Sequence, residues 1–119
     1  LYRSTLIIWN NKMGTIPVDK YCYSVDVLPT VYNLFGIDYD SRLLMGTDIL
    51  SDSDALVIFN DRSYITDKGR YNASTDTFTP NEGVSVSQTY AAEIFTIVKN
   101  KSDFSKKIIV NDYYDYVFQ

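Results

Sequence analysis

Apolar residues recur along this chain in three kinds of pattern, and each predicts a different element. Leu6-Ile7-Ile8-Trp9 is an unbroken apolar run bounded by Asn10-Asn11. Unbroken runs suit a strand covered on both faces, as in a parallel or mixed sheet with helices on either side. From Val25 the period changes. Val27, Leu28, Val31, Leu34 and Phe35 fall on one stripe of a helix. Ser24 or Asp26 supplies an N-cap, and Pro29 falls at the third helical position, where its missing N–H loses no intrahelical bond. Gly36 supplies the left-handed residue that ends the helix.

The stretch from Ile37 to Asp54 is rich in Asp, Ser and Gly and reads as loop with one turn of helix. Beyond it come short segments of β-formers: Leu56-Val57-Ile58-Phe59, Ser63-Tyr64-Ile65-Thr66, Arg70-Tyr71 and Thr77-Phe78-Thr79. Turn-forming residues separate them, which predicts three or four antiparallel strands in a meander. Pro80-Asn81-Glu82-Gly83 breaks the pattern. Tyr90, Ala91, Ile94, Phe95, Ile97 and Val98 then mark a helix from about Gln88 to Lys99. Ser102 is expected to cap a last helix with Phe104, Ile108, Ile109, Tyr113 and Val117 on its apolar face. Both helices are expected on one face of the meander. The fold class is therefore α+β: a short antiparallel meander, about three helices, and one N-terminal strand.

Composition adds constraints. The 119 residues are 45% hydrophobic and include eleven Tyr and six Phe, enough for one core with a rim of half-buried phenols. A net charge of −4, with Lys106-Lys107 the only basic pair of note, argues against nucleic acid as a partner. The single Cys22 excludes an internal disulfide and reads as a buried, inert thiol. No apolar run approaches the roughly 20 residues that span a bilayer. The chain opens on Leu-Tyr-Arg and enters an apolar strand at once, so it is expected to be a piece of a longer protein, with any targeting segment upstream.

Candidate chemistry is sparse. The aspartates between Asp38 and Asp54 do not match the spacing of a calcium loop, so Asp48, Asp52 and Asp54 read as turn-formers and caps. With no histidine in the chain, the hydroxyls have no imidazole base, and no Gly-x-Ser-x-Gly elbow is present. Asp61-Arg62 and Asp67-Lys68 fall at turns and read as solvated charge. Arg42, Arg62 and Arg70 remain as candidates for an anionic group, because guanidinium matches oxyanion geometry. The sequons Asn72-Ala73-Ser74 and Asn100-Lys101-Ser102 are too short to carry an assignment. No residue is assigned as catalytic, cofactor-binding or metal-ligating.

One ordered set of motifs says more. An apolar strand precedes Asp26-Val27-Leu28-Pro29-Thr30, Leu34-Phe35-Gly36 ends the helix, and Met45-Gly46-Thr47-Asp48-Ile49-Leu50 follows. The set resembles the C-terminal part of sulfatase-family proteins of the alkaline phosphatase superfamily, and Phe59 to Tyr71 is similar to the terminal strands of their lipoteichoic acid synthase-like members. The resemblance implies a C-terminal piece of a large α/β fold. Residues 1–54 would be the end of its main sheet region, and residues 55–119 its smaller antiparallel sheet and final helices. It also implies a parent enzyme that binds a divalent metal, manganese in the synthases, and uses a Thr nucleophile, with both sites upstream of this chain. Asp26, Pro29, Thr30 and Gly36 carry over as fold residues only. The parent would be a phosphoglycerol transferase, or a sulfuric or phosphoric ester hydrolase, held in a bacterial membrane with its catalytic domain outside. The implied partner is the rest of that catalytic domain; the isolated piece is expected to be inactive and able to dimerise through Leu6 to Trp9. The alternative is a stand-alone extracellular binding module with a tyrosine-rich face.

Overall fold

The computed structural model describes residues 4–117. The opening Leu1 to Arg3 lies outside the described residues. Three helices and one sheet make up the regular structure: α1 (Val27–Phe35), β1 (Leu56–Ile58), β2 (Tyr64–Thr66), β3 (Gly69–Asn72), β4 (Thr77–Pro80), α2 (Tyr90–Val110) and α3 (Tyr113–Val117). The strands follow one another in the order β1-β2-β3-β4, all antiparallel, so the predicted meander is present and the fold is α+β.

Register explains the core. Ile58 faces Tyr64, Tyr64 faces Tyr71, and Tyr71 faces Phe78, which lays one row of large side chains across all four strands. Alternation sends the next row, Val57, Ile65, Arg70 and Thr79, to the opposite face. Helix α2 covers the aromatic row: Val98 is buried with Ile58 and Tyr64, and Ile94 and Phe95 pack against them. Tyr64 stacks on Tyr71 at 5.0 Å between ring centres, and Phe78 meets Tyr90 of α2 edge-on at 5.5 Å. Both phenols, the buried Tyr64 and the half-buried Tyr90, find partners on the facing layer. Tyr64 donates to the Ala91 carbonyl at 2.9 Å, and Tyr90 to the Thr66 hydroxyl at 3.1 Å.

Gly69 and Pro80 close the far end of the sheet as a pair. A Cβ at Gly69 would collide with the Thr79 carbonyl and sit 2.7 Å from the Phe78 ring and 2.8 Å from Pro80, so the neighbouring strand leaves room only for glycine. Pro80 is tolerated because β4 is an edge strand, where a missing N–H breaks no inner ladder.

Four expectations are corrected. Leu6 to Trp9 forms no strand among the described residues and lies in the open, with Ile7 81% and Trp9 83% exposed. A strand requires a neighbour to pair with, and no described segment lies alongside. Helix α2 runs unbroken past Ser102 to Val110, because no breaker interrupts it and a Lys99 to Asp103 bridge at 3.1 Å spans the predicted gap. The last helix is thus the short α3, whose residues are exposed rather than laid on the meander. Cys22 is exposed, on an extended segment that nothing covers.

The inward face of α1 also differs from expectation. Its buried residues are Pro29 and Thr30, while Leu28, Leu34 and Phe35 are 45%, 39% and 77% exposed. The polar side of this helix points into the chain. Among the described residues no helix is long and apolar enough to cross a membrane.

The aromatic row makes a graded prediction. Tyr64→Phe removes one buried hydrogen bond and should cost about 1 kcal/mol, whereas Tyr64→Ala also opens a cavity and should cost about 3–5 kcal/mol. Urea unfolding of the two variants measures this; equal midpoints would contradict the assigned core.

Candidate functional site

The polar face of α1 makes sense once its partners are followed. Asp26 is buried at the end of a single 3-10 turn, Ser24–Asp26, that leads into α1. Its carboxylate does not cap the helix in the predicted way. Oδ2 accepts the Tyr23 N–H at 3.0 Å, and Oδ1 accepts the Thr47 N–H at 2.8 Å, 21 residues further along. One turn later, the Thr30 hydroxyl donates to the Asp26 carbonyl at 2.6 Å and accepts the Ile49 N–H at 2.9 Å. Asp26 just before α1 and Thr30 within it therefore hold two backbone amides of the Met45–Leu50 loop.

Gly46 lets that loop come close. A Cβ there would collide with the Val25 carbonyl and lie 2.8 Å from the Asp26 N–H. The loop is also held from outside: Asn33 donates to Asp48 Oδ2 at 2.8 Å, while Asp48 Oδ1 accepts the Leu50 N–H at 2.9 Å. Asp48 is the turn-former the sequence predicts. At the end of α1, Gly36 adopts the left-handed conformation with φ of 64°, and the Ile37 N–H closes on the Tyr32 carbonyl at 2.9 Å.

Lys101 completes the arrangement from α2. Its Nζ donates to the Met45 carbonyl at 2.9 Å, tying the final layer to the same loop. Burial pulls the Lys101 ammonium below the usual lysine range, and the nearby Asp26 carboxylate opposes that shift. Sequence reasoning missed this residue. Lys101 falls three and four positions past Val98 and Ile97, on the stripe that faces the protein, and a lone cation on such a stripe is the signal that could have found it. Tyr23 lies beneath. Burial first, and then the Asp26 charge, push its phenol up to about 12, against a smaller opposing effect of the Ile58 backbone.

A cleft of about 190 Å3 opens between this loop, the β1 edge and α2, with Thr47, Leu56, Ile94 and Lys101 among its walls. Its chemistry is limited by how fully its polar atoms are engaged. Thr30 Oγ1 is buried and both donates and accepts within the fold. Both Asp26 oxygens hold amides. No group of three or more His, Cys, Asp or Glu residues able to hold a metal exists among the described residues. A divalent cation of the kind the resemblance implies thus finds no such donor set among the described residues.

The three arginines are dispersed. Arg42 is bound bidentately by Asp40, with a closest approach of 2.7 Å, and this pair holds the exposed Asp40 carboxyl down near 2. Arg62 reaches Asp103 of α2 at 3.0 Å. Arg70 stands on the opposite face of the sheet.

The geometry is that of a fold-bearing latch within an α+β domain, and the chain resembles the C-terminal part of lipoteichoic acid synthase-like proteins of the sulfatase family. Two curated relatives carry that statement. The lipoteichoic acid synthase of Staphylococcus saprophyticus is 44% identical over 62 residues, 50% of this chain and 9% of the relative. Lipoteichoic acid synthase 2 of Bacillus subtilis is 37% identical over 101 residues, 80% of this chain and 15% of the relative. The chain thus spans a small part of the relatives it matches. No family model and no solved structure matches it.

Two predictions follow from the latch. In Asp26→Asn the amide offers one acceptor where two are needed and sets N–H against N–H, which should cost about 1.5–3 kcal/mol; Gly46→Ala should cost about 1–3 kcal/mol through the Val25 collision. Thermal or urea unfolding reads both, and wild-type midpoints would contradict the latch.

Alkaline pH provides an independent check. Tyr64, raised by burial and then by the neighbouring Tyr90 and Tyr71 phenols, also reaches about 12. Tyr23 and Tyr64 keep their protons in the fold while the unfolded chain loses its own near 10. Their stabilising contribution is therefore complete below pH 10 and is lost as pH rises through 12. Lys101 acts in the opposite sense, since its burial cost fades as pH rises through its range. Tyr71, raised by its hydrogen bond to Asp76, adds to the tyrosine effect, so stability should decline between pH 10 and 12, measurable by urea titration at each pH.

Proposed function

We propose that this chain is the C-terminal, non-catalytic part of a metal-dependent, sulfatase-like phosphoglycerol transferase, or of a related sulfuric or phosphoric ester hydrolase, acting on cell-surface polymers. The observation that carries the reading is the similarity to lipoteichoic acid synthase 2 across 101 residues, which takes in most of this chain. The latch supports it. The residues of the shared motif, Asp26, Pro29 and Thr30, are buried in structural roles, so chemistry would fall to groups elsewhere in a longer protein.

In this reading the parent holds its divalent metal, manganese, and its nucleophile upstream, and sits in the bacterial membrane with the catalytic domain outside. The partner of the piece is the remainder of that domain. Its contribution is to close an edge of the main sheet and shape one wall near the active site. The exposed apolar residues of α1 and of Leu6 to Trp9 fit such a partner, because an α/β layer would cover both. A homodimer through Leu6 to Trp9 is the corresponding proposal for the isolated piece.

The other reading, a free binding module with a tyrosine-rich face, draws less support. Tyr64, Tyr71 and Tyr90 are committed to the core, and the exposed phenols of α3 stand at the far end of α2.

The test is turnover. The 119-residue chain, supplied with manganese and either a chromogenic phosphate ester or a phosphoglycerol lipid, should release no product. Turnover that a chelator abolishes would overturn the assignment.

A further inference from the structure

The face of the sheet turned away from α2 carries an arrangement that neither the core nor the latch uses. It forms a broad, open concavity of about 1010 Å3. Arg70 stands in its outward row, between Ile65 of β2 and Thr79 of β4. The two turns at one end of the sheet wall it in, Asn60 to Ser63 after β1 and Ala73 to Asp76 after β3. These turns are fastened to each other, since the Ala73 N–H donates to the Ser63 hydroxyl at 3.0 Å.

The state of the polar groups on this face points to a ligand. Arg42 and Arg62 are each neutralised by a carboxylate, whereas the Arg70 guanidinium makes no ion pair or hydrogen bond among the described residues. The side-chain donors of Asn60, Asn72, Ser74, Thr75 and Thr79 likewise have no protein partner there. The acidic groups nearby are already engaged. Asp61 accepts from the Ser63 N–H and hydroxyl, both at 2.9 Å, and Asp76 accepts from Tyr71 at 2.8 Å. What remains is a planar, five-donor cation lining the same concavity as these hydroxyls and amides, in a protein of net charge −4.

We propose that this outer face is a binding site for an oxyanion carried on a polyhydroxylated molecule: Arg70 takes the phosphate or sulfate oxygens as a two-pronged donor, and Asn72, Ser74, Thr75 and Thr79 take the adjoining hydroxyls. The site is separate from the latch and stands whether or not the chain is part of a transferase. It involves binding only, with no bond made or broken. One exposed guanidinium in open solvent, aided by neutral hydrogen bonds, corresponds to a dissociation constant on the order of millimolar.

The test uses the 119-residue chain and three probes, followed by backbone amide NMR shifts: inorganic phosphate, glucose, and glucose 6-phosphate. Glucose 6-phosphate should bind most tightly, at least about 5-fold tighter than phosphate and about 10-fold tighter than glucose, with saturable shifts clustered at Arg70, Asn72, Thr77 and Thr79. Arg70→Gln should abolish this binding. Arg70→Lys, which keeps the charge and loses the fork, should weaken it several-fold. Because Arg70 faces outward, both variants should retain the wild-type shifts of Tyr64 and Val98. Equal affinity for phosphate and glucose 6-phosphate, binding that survives Arg70→Gln, or shifts centred on Lys106 and Lys107 would each overturn the proposal.

Discussion

A buried carboxylate that accepts two backbone amides organises the first half of this protein. Removing Asp26 from water carries a desolvation cost of several kcal/mol, which is recovered only if its oxygens meet well-placed donors. The Tyr23 and Thr47 amides are those donors, and to supply the second the chain must return to α1 after 21 residues with its backbone almost touching. That requirement determines much of the rest. Glycine must stand at position 46, Thr30 must lie one helical turn beyond Asp26, and Ile49 must arrive where the Thr30 hydroxyl can hold it. An Asp-x-x-Pro-Thr motif followed by Met-Gly-Thr-Asp-Ile-Leu is thus a single structural unit whose parts are separated in sequence.

The second half is built on a different principle. Four short strands bring Ile58, Tyr64, Tyr71 and Phe78 into one row, and α2 covers it. All four strands are only three or four residues long, so the sheet depends on packing against that helix for its stability. The two halves meet at Lys101, whose ammonium crosses from α2 to the Met45 carbonyl. A half-buried cation close to a buried anion couples the layers electrostatically as well as by contact.

The meander was legible because β-branched and aromatic residues alternate there between turn-formers, and each strand keeps its neighbours close in sequence. The end of α1 at Gly36 was legible for the same local reason. The helix boundary near Ser102 was not: capping residues inside a helix look alike to those at its start, and only the Lys99 to Asp103 bridge and the contact with β1 decide between them. Leu6 to Trp9 reads as a strand by composition, yet strand formation depends on a neighbour, which local pattern does not reveal. The latch was half legible. Its motif was visible, but the role of Asp26 as a receiver of the Thr47 amide, and the place of Lys101 beside it, arise from a contact between distant segments.

Amide hydrogen exchange at Thr47 and Ile49 tests the latch most directly, because both lie in a loop outside any helix or strand. If Asp26 and Thr30 hold them, these two amides will exchange as slowly as those of β2. Asp26→Ala will release Thr47 while leaving the β2 amides protected. Exchange of Thr47 and Ile49 at the rate of the open segment from Asn10 to Ile16 would contradict the account and reduce the motif to an ordinary surface turn.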